Sequence, residues 1–173
     1  MIIWLASYPK SGNTWLRMFL KSYFLKPNEK FSLEGSINDT FKPQGFPDQK
    51  ILDHLKIDYN KFSEIAKNWE AMQDYINLNK RTNYVKTHSA MCAVGSYKFT
   101  SLRNTKGGIY IVRDPRDVAL SWKKSKSHKG GVVNSAIQWK KDQQQFLKCY
   151  NILQKQNDCI LIKYEDLISD ISN

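Results

Sequence analysis

Hydrophobic and polar positions fall into blocks along this chain, and each change of block marks an element. Ile2 to Ala6 is an unbroken apolar run rich in β-formers, the pattern of a strand covered on both faces. Tyr8-Pro9-Lys10-Ser11-Gly12-Asn13 interrupts it with one fixed φ, one permissive glycine and polar side chains. From Thr14 the period becomes helical: Trp15, Phe19 and Tyr23, with Leu16 and Leu20 beside them, recur at three- and four-residue spacing, and Pro27 ends the helix. Asn28 to Asp53, carrying Gly35, Pro43, Gly45 and Pro47, predicts a long irregular excursion. Phe31, Phe41 and Phe46 pin that excursion to the body or else line a pocket.

Asp58 to Leu78 predicts one covering helix, with Phe62, Ile65, Trp69, Met72 and Ile76 on its apolar face. Thr82 to His88 is a short strand ending in two basic side chains, Lys86 and His88. Lys98 to Lys106 is basic and turn-like, and Gly107-Gly108 leads into the buried-type strand Ile109 to Val112. Arg113-Asp114-Pro115-Arg116-Asp117 punctuates it, and the helix of Val118 to Trp122 places Pro115 near its first position. After the basic run Lys123 to Gly131, a long helix spans Ser135 to Gln156 with Trp139, Phe146, Tyr150 and Leu153. Cys159 to Lys163 is a fourth apolar strand, ending at Tyr164-Glu165-Asp166-Leu167. Strands and helices in alternation predict an α/β fold: an open parallel β-sheet flanked by helices, P-loop-like, in a single domain over residues 1–173.

Composition sharpens this picture in one respect. The 173 residues include 41% hydrophobic and 13% aromatic side chains, enough for a folded core. Against 16 acidic residues stand 27 Lys and Arg, a net charge of +11 that favours anionic partners, nucleic acid as readily as a small nucleotide. Cys92, Cys149 and Cys159 are odd in number and widely spaced, which indicates neither a disulfide framework nor a zinc site. No apolar run approaches the roughly 20 residues that span a bilayer, and no signal-type segment opens the chain. The expectation is a soluble, cytoplasmic protein with no membrane partner; the sequon at Asn38-Asp39-Thr40 is then a chance match.

The chemistry gathers at the ends of the strands, where open parallel sheets bind ligands. A strand passing directly to a helix aims unpaired N–H groups and the positive helix end at one point, and an anion fits there. Lys10 adds a full charge, and Ser11 and Thr14 add hydroxyls. The lysine precedes the glycine and no Gly-Lys-Ser/Thr follows, so the loop is not the Walker A pattern. Arg113 and Ser121, eight residues apart, can reach one phosphate lying over their turn. Lys86 and His88 share a strand face at two-residue spacing. Each feature also has a plain structural explanation: a strand-to-helix turn at 8–13, a surface ion-pair turn at 113–117, a helix start at 164–167, and core packing for Trp15. His54 and His128 have no comparable setting and read as surface residues.

Tyr-Pro-Lys-Ser-Gly-Asn-Thr-Trp at positions 8 to 15 closely resembles the 5′-phosphosulfate loop of the cytosolic-type sulfotransferases, which use 3′-phosphoadenosine 5′-phosphosulfate (PAPS). Many of them carry Thr where Asn13 stands. Arg113 to Asp117 with Ser121 is similar to the family's 3′-phosphate site, Tyr84-Val85-Lys86-Thr87-His88 to the segment supplying its catalytic base, and Tyr164 to Leu167 to a late segment that meets the nucleotide. The resemblance implies PAPS as cosubstrate, adenosine 3′,5′-bisphosphate as product and no metal. It implies a nucleotide site of Lys10, Ser11, Gly12, Asn13, Thr14, Trp15, Lys86, Arg113, Ser121 and Tyr164, and His88 as the base. Lys10 then also stabilises the leaving oxygen, with Ser121 holding it until the acceptor is bound. Ser89-Ala90 follows His88 where many relatives have Leu-Pro, and the family's segment beyond Tyr-Glu-Asp-Leu, with its Arg-Lys-Gly clamp, is not in the sequence.

Two other classes stay open on the residues alone. One is a P-loop kinase acting on a small molecule, against which stand the missing Gly-Lys-Ser/Thr and the lack of a magnesium-holding carboxylate after a strand. The other is a non-enzymatic nucleotide or RNA binder, suggested by the +11 charge and the Lys123 to Lys129 run. The aromatics follow helical spacing and do not interleave with that run, so no specific nucleic-acid partner is expected. The expected partner is a small-molecule or carbohydrate acceptor.

Overall fold

The computed structural model describes residues 1–24, 43–89, 93–124, 132–155 and 158–169. Its centre is a five-stranded parallel sheet in the order β2-β3-β1-β6-β7, from Gln44–Gly45, Asn83–Thr87, Ile2–Ser7, Thr105–Val112 and Asp158–Lys163. A two-stranded antiparallel hairpin, β4 (Ala93–Val94) and β5 (Tyr97–Lys98), stands apart. The helices are α1 (Asn13–Tyr23), α2 (Gln49–His54), α3 (Phe62–Lys67), α4 (Trp69–Asn77), α5 (Pro115–Lys124), α6 (Val132–Gln154) and α7 (Tyr164–Ser169). The chain is therefore α/β, with the sheet flanked by helices. None of the described helices is long and apolar enough to cross a membrane.

Alternation along β1 divides the core. Ile2, Trp4 and Ala6 face the larger cluster, where Trp4 meets the rings of Phe46 (5.3 Å) and Phe99 (5.6 Å) above Ile51, Trp69, Met72 and Ile76. Leu5 faces the other side, against Leu16 of α1 and Ile111 of β6. Full burial of each such side chain is worth about 1.5–3 kcal/mol, so both faces of β1 hold the sheet between its helices. Trp4 Nε1 keeps a partner inside the core by donating to Thr105 Oγ1 at 3.0 Å. The first glycine inside β6 has a packing reason: a Cβ on Gly107 would collide with the backbone carbonyl of Asp158, its partner on β7.

Four readings of the sequence change here. The apolar face of α1 is Leu16 and Leu20, while Phe19 and Tyr23 lie on its outer side, 52% and 73% exposed. The covering helix at 58–78 is two helices broken at Asn68, whose Nδ2 donates to Glu64 O at 2.8 Å and so competes with the backbone ladder; Phe62 points outward. The supposed irregular stretch contains β2 and α2, and its Phe46 is buried against Trp4 as a pin. The turn-like Lys98 to Lys106 contains the end of β5, a short 3-10 turn at Leu102–Asn104 and the start of β6. Phe31, Phe41, His128 and most of the Lys123 to Gly131 run lie outside the described residues.

Candidate functional site

The four long strands end at nearly the same height: Ala6 pairs Thr87, Ser7 pairs Ile111, and Val112 pairs Lys163. From β1 the chain builds β2 and β3 on one side, then crosses over from β3 to build β6 and β7 on the other, so the sheet's switch point lies at the end of β1. Open parallel sheets place ligands at such a point.

The loop after β1 is built around an unusual backbone. Ser11 N donates to Tyr8 O at 3.2 Å, closing a turn with Pro9 second and Lys10 third, and Lys10 takes φ 68. That is the form of a type II turn, whose third place asks for φ > 0 and ordinarily takes glycine. A lysine held there costs of order 1 kcal/mol, a strain that persists where the surroundings impose it. Gly12 follows at φ 101, and a Cβ on it would lie 2.7 Å from Tyr164 Cε2. Gly12 therefore combines a left-handed conformation with close approach of the Tyr164 ring.

Two features of this loop ask for an anion. α1 starts at Gly12 with no side-chain cap and no acidic residue in its first turn, so its amide donors and dipole meet no side chain of their own. Ser11 is fully buried, and its Oγ has no hydrogen-bond partner among the described residues. Thr14 is exposed and receives a long 3.4 Å contact from Arg17 Nη2. Asn13 turns inward, where its Nδ2 donates to Leu5 O at 3.0 Å, so its side chain ties α1 to β1.

Arg113, just past β6, reaches across to the same loop. Its Nη1 donates to Lys10 O at 3.2 Å, and its guanidinium lies 4.4 Å from the centre of the Tyr164 ring. Its Nε is buried with no partner among the described residues. The Asp117 carboxylate stands 4.0 Å away and half exposed, a contact worth little. Asp114 is different: bonds from the Arg116 side chain, then from the Arg116 backbone, bring its carboxyl down to about 2. The two arginines of this turn thus divide, Arg116 neutralised by Asp114 and Arg113 turned to the loop. Asp114 N donates to Glu165 Oε1 at 2.9 Å, which fastens the turn to α7 and so to Tyr164.

His88 stands just past β3, on the other side of β1. Its Nδ1 lies 2.9 Å from Ser7 O, so Nδ1 carries the proton and donates it, leaving Nε2 with a lone pair. Although the residue is exposed overall, the side of the ring against β1 is desolvated, which lowers its pKa, and the charges of Lys86 and Arg17 lower it further. Lys86 is itself depressed, first by burial and then by Arg17.

Lys10, Ser11, Arg113 and Tyr164 are thus joined around one loop, and His88 bonds the residue that enters it. The Lys10 ammonium rests 5.8 Å from the centre of the Trp122 ring, with no hydrogen bond to Ser121 next to it. Trp15 is half-buried and stacks on Phe19 at 5.7 Å, and it is not among the buried core residues that its spacing also allowed it to join. The sequence pattern alone assigns no site role to Arg17, Trp122 or Glu165. The one available signal was helical phase, which sets Arg17 a turn beyond Asn13 and Thr14. A cleft of about 430 Å³ beside α3, α4 and β5, lined by Lys67, Glu70, Lys98 and Arg103, shares no residue with this loop.

The family model described as the sulfotransferase domain matches residues 2–173. No curated protein matches the chain.

Proposed function

Because the chain belongs to the sulfotransferase domain family and its domain supports sulfotransfer, we propose that it moves a sulfuryl group from PAPS to a hydroxyl or amine of a small-molecule or carbohydrate acceptor. The observation that carries this reading is the loop at 8–14. An uncapped helix start, a buried Ser11 hydroxyl and, among the described residues, no partner for that hydroxyl and no strong carboxylate partner for Lys10 or Arg113 all converge on it. Those donors fit a nucleotide with two phosphate groups: the loop amides, Ser11 and Thr14 for the 5′ group, and Arg113 with Ser121 for the 3′ group. Tyr164, packed on Gly12 and Arg113, and Trp15 at the start of α1 provide aromatic surface for the adenosine.

In the transfer, the acceptor oxygen or nitrogen forms a bond to sulfur as the bond from sulfur to the 5′-phosphate oxygen breaks, releasing adenosine 3′,5′-bisphosphate. His88 Nε2 takes the acceptor proton, and its orientation is fixed by the Nδ1 bond to Ser7 O. The depressed pKa keeps that nitrogen unprotonated at neutral pH. Lys10 neutralises the charge that grows on the departing oxygen, an interaction stronger in the transition state than before it. To do so its ammonium swings from the Trp122 ring, which holds it in this structure. Lys86, on the same strand face as His88, meets the transferred group between donor and acceptor.

Calorimetric titration tests the reading. Adenosine 3′,5′-bisphosphate should bind at least tenfold more tightly than ATP with or without magnesium; tighter binding of ATP with magnesium would replace sulfotransfer with a kinase.

A further inference from the structure

α1 and β3 run antiparallel with one matched face between them. At one end the ring of Phe24, next after α1, lies 5.4 Å from that of Tyr84 on β3, and Leu20 packs in the same cluster. Residues 17, 20 and 24 recur at helical spacing, so Arg17 stands on the α1 face that carries Leu20 and Phe24. Tyr84, Lys86 and His88 alternate onto one face of β3 and its continuation. From Phe24 back to Arg17 the helix rises about 10 Å, and from Tyr84 to His88 the strand rises about 13 Å. The two spans match, which sets Arg17 against Lys86 and His88 at the carboxyl end of the sheet. The electrostatics agree: Arg17 acts on Lys86, and both act on the imidazole, with no carboxylate among the groups that shift either residue. Arg17 Nε is buried without a partner among the described residues, and Arg17 Nη2 makes one long contact of 3.4 Å with Thr14 Oγ1, where α1 borders the loop.

Arg17 and Lys86 here act on the His88 ring with no carboxylate among the described groups that shift it. In the proposed donor site Lys10, Arg113 and the α1 amides supply the positive charge for the two phosphates, and Arg17 lies one helical turn beyond them on the side of β1 that carries His88. His88 marks the side from which the acceptor arrives. We infer that Arg17, with Lys86 beside it, forms an anion-binding subsite for the acceptor, which therefore carries a negatively charged group near the hydroxyl or amine it presents to His88. This rests on the sulfotransferase reading for the identity of the ligand, and on the α1–β3 face for the site.

The subsite is tested in protein saturated with adenosine 3′,5′-bisphosphate, titrated with two matched series: 4-hydroxyphenylacetate, tyrosol and tyramine, then glucuronate, glucose and glucosamine. In at least one series the carboxylate should bind about tenfold more tightly than its neutral partner, the gain expected of a charge-assisted contact, and the amine should bind most weakly. Arg17→Ala should reduce that ratio to below about threefold while the bisphosphate constant changes less than twofold; Arg17→Lys should restore part of it. Equal binding of carboxylate and neutral members, or no binding of either carboxylate, overturns the inference. So does a loss of bisphosphate affinity in Arg17→Ala as large as the loss for the carboxylate, which would move Arg17 to the donor site. If the bisphosphate itself does not bind, the donor reading fails, and the same ratios measured on the free protein still decide the subsite.

Discussion

The two ends of the sheet are chemically opposite. At the amino end a paired network of Arg103, Asn104, Asn77 and Asn83 dominates, with Thr100 Oγ1 an exception, buried without a partner among the described residues. Arg103 pairs with Glu70 and Asp74 at 2.8 and 2.7 Å, Asn104 Nδ2 donates to Asp74, Asn77 Nδ2 to Asn104, and Asn83 Nδ2 to Ile76 O. The chain's first amino group donates to Arg81 O at 2.6 Å. At the carboxyl end, Ser11 Oγ, Arg17 Nε and Arg113 Nε are buried without partners among the described residues, Lys10 sits in a left-handed conformation, and the charges of Lys86 and Arg17 disfavour protonation of His88. Buried polar groups are ordinarily satisfied, and each one left alone costs about 1–3 kcal/mol. One end of the molecule is built chiefly to hold it together; the other carries unsatisfied groups that, on the proposed function, a ligand would satisfy.

Substitutions at the two ends should therefore separate activity from stability. The largest effect is expected from His88→Ala: a fall in kcat of about 10²–10⁴-fold, with the bisphosphate constant within threefold of wild type. Transfer of labelled sulfate from PAPS together with calorimetry measures both, and a His88→Ala protein that keeps its kcat would remove the imidazole from the reaction. Lys10→Ala should lower kcat by about 10²–10³-fold and weaken bisphosphate binding as well, since in the proposed mechanism its ammonium serves both the 5′ phosphate and the leaving oxygen. If the two variants lose nucleotide affinity equally, their roles are not divided as proposed.

At the amino end the expectation reverses. Asn104 is buried and bonded on both sides, so Asn104→Ala should cost about 1–3 kcal/mol of stability and leave kcat/KM unchanged. A drop in melting temperature at constant activity is the outcome that keeps the comparison; a loss of activity in the folded variant would break it. Arg103→Ala should do less, about 1 kcal/mol at most, because its ion pairs are half exposed and screened by solvent.

The sequence disclosed these two ends unequally. The loop at 8–14, the strand before it and the Arg113 turn are each contiguous, so fixed φ, glycine and charge could be read directly. Which face of α1 meets the sheet could not be read, because Trp15, Phe19 and Tyr23 repeat with the same period as Leu16 and Leu20; the Asn13 bond to Leu5 O sets the rotation. β2 is two residues long and shows no periodicity; its pairing with Val85 and Lys86 defines it. The Arg17, Lys86 and His88 group joins residues some 70 positions apart through the antiparallel path of α1, and the Asn77–Asn104 network is equally non-local. Local backbone chemistry was legible, and what two distant elements do to each other was not.

The smallest effect is also the most specific to the basic cluster. His88 titrates below the ordinary histidine value of about 6.5, chiefly because its ring is partly desolvated, then because Lys86 and Arg17 disfavour a further positive charge; the Ser7 carbonyl opposes them. A base works in its unprotonated form, so kcat should be flat at neutral pH and fall in acid, with the limb lying below pH 6.5. Removing one neighbouring cation eases protonation. Arg17→Ala and Lys86→Ala should each raise the pKa of His88 and move the acid limb to higher pH, so activity at pH 6 falls by a larger factor than activity at pH 8. NMR titration of the His88 ring in the free protein measures the same shift without turnover. A limb that stays in place in both variants would mean that desolvation alone sets the imidazole, and that the three basic side chains do not share the field the structure gives them.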